Sequence, residues 1–531
     1  MHCFWTNSAA LINLSRAKAG CKISPVMRFC TSLIVLSLFA GLASAQESHE
    51  HAAPEQLGAV SFPTSCSPAV QAQFERGVAL LHSFAYSTAE STFREVAEKD
   101  PHCAMAHWGI AMSYFHQLWD PPIAPANFVL GHQEMQRAQQ IGGGTERERE
   151  FIAALAIIYA SDDKAAYAAN AQRYTQAMQK LAADNPVDVE SQVFYALALL
   201  STASPSDTTH ANQKLAVAVL EPLYRKYPQH PGLAHYMIHA CDNAEMAQQG
   251  LPAAEAYAKI APSAPHALHM PSHIFTRLGM WDDSIASNLA AKQAAQQHGE
   301  TKEQLHAMDY LVYAYLQTGR DSEAAQVIAQ LKTMPGLSQG DYTAGYAATA
   351  MPVRYAVERK DWAAAAAIVP PASTAPAHVI AIAVWARGLG LARTGHADEA
   401  RAQAVMLLQL QHQLHAEGRD YWAGQVAVQR LELLAWAAQA EGNSQEALET
   451  LRQAADTEDA VEKLPVTPGP IVPAREQLGD LLLQMNQPQA ALKEFQISLQ
   501  NAPGRRGSAM GAAHAAQLAT QESSSPRKPS S

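Results

Sequence analysis

The densest group of reactive side chains in this 531-residue chain lies between Pro231 and Asp283. Its histidines and one aspartate follow the spacings H-x3-H-x2-D and H-x2-H-x3-H: His235, His239, Asp242, His266, His269 and His273. Residues three and four apart share one face of an α-helix, so each segment would present three such side chains along one stripe. Imidazole and carboxylate are ligands that transition metals accept. The spacing therefore predicts a divalent-metal site, with Zn or Cu as the expected ion.

The same histidines also fit a polar groove in which they only form hydrogen bonds. The chain has no H-E-x-x-H, G-x-S-x-G, P-loop or paired-cysteine zinc motif that would fix a reaction. The catalytic residues therefore stay unknown. A binding site and a metal-dependent enzyme that activates water both remain open.

The composition favours an ordered helical protein. Hydrophobic residues make up 48% of the chain and charged residues only 16%, while alanine is abundant and β-branched runs are scarce. The net charge is −11. Because no basic stripe with interleaved aromatic residues appears, a nucleic-acid partner is not expected.

The beginning of the chain predicts an export signal over residues 1–45. Arg28 precedes an apolar run over residues 33–42, and the small residues Ala43 and Ala45 flank Ser44 before Gln46. Met27 is an alternative start. The apolar run is too short to cross a membrane, so no span is expected after cleavage. We therefore expect a periplasmic or secreted protein that begins, after cleavage, with a polar lead-in over residues 46–65.

Three cysteines remain after the predicted signal: Cys66, Cys103 and Cys241. An oxidising compartment favours a disulfide. We predict the pair Cys66–Cys103, which are 37 residues apart, and expect Cys241 to be a buried thiol.

Helix pairs are expected from residue 66 onward. Gly77, Ala89, Phe93 and Pro101 fall at positions 8, 20, 24 and 32 of a 34-residue, two-helix pattern. The same four residue types recur near the other end of the chain at Gly479, Ala491, Phe495 and Pro503. The chain thereby resembles a tetratricopeptide repeat (TPR) protein, and in particular exported bacterial TPR proteins of unassigned role.

The resemblance implies an all-α, right-handed superhelical solenoid of degenerate TPR helix pairs whose first helices line a concave groove. We expect N-terminal repeats over residues 66–230, central repeats over 231–358 and C-terminal repeats over 359–503. The polar residues 504–531 predict a disordered tail. Stacking suits these pairs because no single pair can bury its apolar face alone.

In the TPR register the reactive residues fall at the positions that the resemblance assigns to the groove. The metal candidates occupy positions 2, 5, 9 and 12 of two successive first helices. The next two first helices place His306, Asp309, Tyr313 and Arg354 at groove positions. Pro271 inside the second histidine helix predicts a bend there.

The sequence therefore predicts an exported TPR scaffold with a histidine-rich, metal-binding centre. Its groove, lined by His306, Asp309, Tyr313 and Arg354, would bind a peptide, a protein segment or a small ligand. A metal-dependent, hydrolase-like enzyme that uses the same histidines and Asp242 is the alternative. A purely structural adaptor is a third class.

Overall fold

The computed structural model describes residues 54–118, 122–334, 337 and 342–524. The predicted signal, residues 46–53 of the lead-in and residues 525–531 lie outside the described residues. No helix among the residues described is long and apolar enough to cross a membrane.

The described chain from Glu55 onward is a succession of α-helices after a short 3-10 turn at Pro68–Val70. The earlier helices are α1 (Gln71–His82), α2 (Tyr86–Lys99), α3 (Ala104–Tyr114), α4 (Pro125–Ile141), α5 (Glu146–Ile158), α6 (Lys164–Asp184), α7 (Val189–Ser201), α8 (Ala211–Lys226), α9 (Pro231–Cys241), α10 (Ala247–Ile260), α11 (Pro265–His269), α12 (Pro271–Arg277) and α13 (Trp281–His298). The later helices are α14 (Thr301–Gln317), α15 (Asp321–Leu331), α16 (Tyr342–Glu358), α17 (Trp362–Ala366), α18 (Ala377–Arg393), α19 (Ala397–Ala416), α20 (Asp420–Ala440), α21 (Ser444–Asp459), α22 (Ala474–Gln484), α23 (Pro488–Asn501) and α24 (Arg506–Ser524).

Successive helices pack as pairs, and the first helix of one pair contacts the first helix of the next. This is seen along α14, α16, α18 and α20, and again between α1 and α3 and between α7 and α9. The fold is therefore an all-α solenoid of TPR-like helix pairs, as predicted. In addition, α1 contacts α9, which brings the first repeat against the predicted metal segment.

The glycine and phenylalanine of the repeat pattern lie against each other at both ends of the solenoid. A Cβ atom at Gly77 would lie 2.6 Å from the Phe93 ring, and one at Gly479 would lie 2.7 Å from the Phe495 ring. Any larger residue at either glycine would push the paired helices apart. The sequence register therefore corresponds to real packing.

Cys66 and Cys103 form a disulfide that joins the start of the first repeat to the start of α3, with an S–S distance of 2.03 Å. Cys241 is free and buried. The disulfide and the buried free thiol are both as predicted from the sequence.

Two parts of the chain differ from a regular repeat. The predicted bend at Pro271 is a break, because α11 ends at His269 and α12 begins at Pro271. The predicted disordered tail is wrong for Arg506–Ser524, which form α24. This helix is anchored because Arg505 and Ser508 are fully buried and a Cβ atom at Gly511 would meet the Phe495 ring.

Candidate metal centre

The predicted histidines meet as two adjoining groups of three on the inner surface of the central repeats. Ring nitrogens of His235, His239 and His266 lie within 4.8 Å of one another, and so do those of His269, His273 and His306. We call these the first and second histidine groups. All six side chains are buried except that of His239, which is partly exposed. His306, predicted to bind a groove ligand, therefore belongs to the histidine centre.

In the first histidine group, hydrogen bonds fix which nitrogen faces the centre. His235 Nδ1 lies 2.6 Å from the carbonyl oxygen of His82, so Nδ1 carries the proton and donates it. His266 Nδ1 lies 3.0 Å from Glu303 Oε2. The buried Nε2 atoms of His235 and His239 have no hydrogen-bond partner.

Burial also keeps the imidazoles of His235 and His239 neutral. It lowers the pKa of His235 and of His239 well below the usual value, and the neighbouring histidines lower both further. A neutral imidazole whose Nδ1 donates a proton presents a lone pair at Nε2. That is the state in which histidine ligates a metal.

Phe84 forms one wall of the first histidine group. Its ring centroid lies 4.5 Å from that of His235, 5.6 Å from His239 and 5.2 Å from His266. The Phe84 backbone is left-handed, with φ of 53°, a conformation that bulky residues rarely adopt and that costs about 1–2 kcal/mol. Lys360 and Asn486 have the same backbone conformation in the turns between α16 and α17 and between α22 and α23, so it is a feature of the helix-pair turn. In the turn between α1 and α2, the residue in this conformation carries the ring that contacts the histidines.

In the second histidine group, the Nε2 atoms of His269 and His273 lie 3.0 Å apart. His269 Nδ1 lies 2.6 Å from Asn288 Oδ1, and His273 Nδ1 lies 2.8 Å from Asp242 Oδ2. The His306 ring centroid is 4.3 Å from that of His269. The ring of buried Tyr310 contacts all three imidazoles at 4.8–5.3 Å.

Asp242, predicted to be a metal ligand, lies behind His273 instead of within either group. Its carboxylate accepts hydrogen bonds from Arg277 Nε at 2.9 Å and from Lys463 Nζ at 2.8 Å, in addition to that from His273. Burial alone would raise the pKa of Asp242, but Lys463 and Arg277 hold it well below its usual value. Asp242 therefore orients His273, as carboxylates commonly do behind metal-bound histidine.

The predicted groove residues beyond His306 contact the chain itself. We call residues 460–473, between α21 and α22, the inner loop. Arg354 is fully buried and donates to Asp309 Oδ1 at 3.1 Å. It also donates to Thr467 Oγ1, Gly469 O and Pro470 O of the inner loop, each at 3.0 Å. Tyr313 OH lies 3.3 Å from Arg505 Nη1. That Asp309, Tyr313 and Arg354 contact an external ligand stays a prediction.

A cavity of about 390 Å³ is lined in part by the inner loop. Its wall combines aromatic side chains, including Trp385 and Trp422, with charged ones, including Glu432 and Arg475. Arg277 and Lys463, which hold Asp242, also border this cavity. A pocket of small-molecule size therefore shares Arg277 and Lys463 with the hydrogen bonds behind the second histidine group.

Sequence reasoning missed the residues that support the histidines from distant repeats: His82, Phe84, Asn288, Glu303, Tyr310 and Lys463. None has a motif of its own, and Lys463 is 221 residues from the aspartate that it contacts. A weak signal existed for Tyr310, which lies one residue from the predicted groove position Asp309.

Comparison with known proteins gives only remote similarity. No protein-family model matches the chain, and no curated protein sequence matches it. Among solved structures, the P58(IPK) TPR domain is 12% identical with a TM-score of 0.24, covering 86% of this chain and 100% of that one. Yeast Tom70 is 11% identical with a TM-score of 0.28, covering 84% and 88%.

An IFIT1 monomeric mutant solved with m7Gppp-AAAA is 10% identical with a TM-score of 0.37, covering 78% of this chain and 90% of that one. Scores at this level say nothing of function. The TPR-like fold rests on the helix pairing of the chain itself.

Proposed function

We propose that this chain is an exported TPR-like scaffold that binds a divalent transition-metal ion through His235, His239 and His266. The observation that carries the proposal is that ring nitrogens of His235, His239 and His266 lie within 4.8 Å of one another, while the buried Nε2 atoms of His235 and His239 have no hydrogen-bond partner. A buried polar atom without a partner costs about 1–3 kcal/mol. A metal ion coordinated by these nitrogens would offset that cost.

The supporting contacts of the group are those expected behind metal-binding histidines. A carbonyl oxygen accepts from His235 Nδ1, and a carboxylate lies next to His266 Nδ1. Such partners fix the ring orientation and raise the basicity of the ligating nitrogen. An all-imidazole set selects Zn, Cu, Ni or Fe over Mg and Ca.

The ligand proposed to bind beside the metal centre is a small molecule, not an extended peptide. The inner loop occupies the inner surface where Arg354 and Asp309 lie, so a peptide would have to displace it. The adjoining cavity of about 390 Å³ has the size of a small-molecule site.

A metal-dependent enzyme is the second candidate, and the number of ligands favours it. Three histidines leave a coordination position for water, as in catalytic zinc sites. A bound ion would supply an activated water, while the histidines and their hydrogen-bond partners would hold it in place. Turnover of ester or phosphoester probes that disappears on chelation and returns with Zn²⁺ would establish this function. A metal-loaded protein inactive on every probe would argue for binding alone.

The first experiment is elemental analysis of the tag-free protein, purified without chelator, beside a variant with His235→Ala and His239→Ala. We expect at least one ion per chain in the wild type and one fewer in the variant. His132→Gln is the matched control, because His132 is partly buried and bonded to Tyr159 O, outside both groups. Equal metal content in wild type and double variant, with circular dichroism unchanged, would overturn the proposal.

Export is a separate part of the proposal and rests on residues 28–45. Expression of the full chain in a Gram-negative host should yield a periplasmic protein whose N-terminus is Gln46. Recovery of an uncleaved protein in the cytoplasm would contradict it.

A further inference from the structure

We propose that His269, His273 and His306 hold a second divalent transition-metal ion, so that the six histidines form a two-ion centre. This inference rests on the proposed function, because it adds an ion beside the first. It is argued from the directions of the hydrogen bonds around the second histidine group.

The protons of His269 and His273 lie on the nitrogens that face away from each other. Asn288 Nδ2 donates to the Ser284 carbonyl at 2.8 Å, so its Oδ1 is turned toward His269 and can only accept. Asp242 Oδ2 accepts from Lys463 and can likewise only accept from His273 Nδ1. Each Nδ1 is therefore a donor, and each Nε2 presents a lone pair.

Two lone pairs therefore face each other across 3.0 Å between His269 Nε2 and His273 Nε2. Neutral imidazoles in this arrangement repel unless a cation lies between or beside them. Two nitrogens bound to one tetrahedral zinc at about 2.05 Å each would be about 3.3 Å apart. The observed spacing needs only a small adjustment to accept such an ion.

The third imidazole distinguishes a metal from a shared proton. A proton would join two nitrogens, but a ring nitrogen of His306 lies within 4.8 Å of the other two. Buried Tyr310 contacts all three rings and reaches the Thr467 carbonyl of the inner loop at 3.4 Å. Three convergent imidazoles locked by packing are a ligand set and not merely a hydrogen-bonded pair.

The two groups adjoin each other. The ring centroids of His266 and His269 are 6.2 Å apart, as are those of His239 and His273. Neighbouring ions in two-metal sites clamp a small oxygen anion between them. The complete centre would therefore hold two neighbouring divalent ions, and the chemistry that such a pair would supply is the binding of a small oxygen anion.

The test is the stoichiometry of Zn²⁺ and, separately, Cu²⁺ bound by the metal-free full chain, measured by calorimetry and elemental analysis. Wild type is compared with His235→Ala, His306→Ala and the control His132→Gln. We expect two ions in the wild type and control and one in each of the other variants. His306→Gln replaces His306→Ala if circular dichroism shows that the alanine variant is unfolded.

The other outcomes separate the two proposals. One ion in the wild type, lost in His235→Ala and kept in His306→Ala, would overturn the second site and leave the first. One ion lost only in His306→Ala would support the second site and overturn the first. No ion in the folded wild type would overturn both.

Discussion

Two buried polar regions lie on the inner surface of this solenoid, and they differ in whether their polar atoms are satisfied. Around Arg505, the guanidinium donates to Glu476 at 2.7 Å, to Glu358 at 2.9 Å and to Tyr313 OH at 3.3 Å. In the histidine centre, five of the six side chains are also buried and that of His239 is partly exposed. There, however, the Nε2 atoms of His235 and His239 have no partner, and those of His269 and His273 face each other.

This difference in hydrogen bonding identifies the Arg505 region as a structural network and the histidine centre as a candidate site. Both regions are rich in buried titratable groups. The Arg505 network completes its own hydrogen bonds, so it holds α22, α24 and the end of α16 together. In the histidine centre, hydrogen bonds satisfy Nδ1 of His235, His269 and His273, whereas the Nε2 atoms of His235 and His239 have no partner. Buried polarity therefore marks a ligand site only when donors or acceptors are left over and converge.

The largest effect that we predict is on the stability of the Arg505 network. Arg505→Met leaves the buried carboxylates of Glu358 and Glu476 without their cation, which should lower the free energy of unfolding by about 3–5 kcal/mol. In the metal-free protein, His239→Ala should change it by about 1 kcal/mol or less, because Nε2 loses no hydrogen bond. Urea denaturation of both variants measures the contrast. Equal losses would remove the distinction between the two regions.

The next largest effect that we predict is on how the free energy of unfolding of the metal-free protein depends on pH. Burial lowers the pKa of His273 to about 4, although Asp242 acts in the opposite direction. The unfolded chain takes up a proton below about pH 6.5 and the folded chain only near 4, so stability falls as the pH is lowered through this window. His273 alone should contribute about 3 kcal/mol of this loss by pH 4. Urea denaturation at several pH values should show the slope, and His273→Gln should flatten it; a slope unchanged by the substitution would contradict the assignment.

The C-terminal region should show a smaller pH effect of opposite sign. Burial raises the pKa of Glu458, beside the last repeat, to about 7. The folded chain keeps this proton between pH 4.5 and 7 while the unfolded chain releases it, so stability falls as the pH rises. Because Glu458 is only half-buried, we expect about 1–2 kcal/mol. The same titration with Glu458→Gln should lose this component, and an identical profile would rule it out.

The smallest effect is expected at Tyr310, which links the histidine centre to the inner loop. Tyr310→Phe keeps the ring contacts with the three imidazoles and removes two long contacts of the hydroxyl, one to Thr467 O at 3.4 Å and one to His273 Nδ1 at 3.3 Å. We expect a loss of about 0.5–1 kcal/mol in unfolding free energy and unchanged metal stoichiometry. Loss of an ion in this variant would make the hydroxyl part of the metal site.

The sequence predicts the scaffold because its signals are local. Gly77 with Phe93 and Gly479 with Phe495 mark helix pairs through contacts within one repeat. The stripe spacing likewise places His235 and His239 on one face. The division into two groups depends on how α9, α11, α12 and α14 pack, which no local pattern contains.

The predictions for the tail and for Asp242 failed for the same reason that the division into two groups could not be predicted. The polar end of the chain predicts a disordered tail, but Arg505 is buried against Glu358 and Tyr313, which are 147 and 192 residues away in sequence. Asp242 fitted the ligand stripe because its distant partner Lys463 could not be foreseen. Contacts across more than a hundred residues decide both cases.

The inner loop has a consequence for how the chain unfolds. In a simple repeat array each unit touches only its neighbours, so the end units fray independently. Here the inner loop joins the next-to-last and last repeats to Asp242, Arg277 and Arg354 across 113–221 residues of chain. The C-terminal repeats cannot detach without breaking these bonds around the histidine centre. Opening of the C-terminal end and exposure of the histidines should therefore be a single cooperative event, and hydrogen exchange in α9 and α22 should slow together when metal binds.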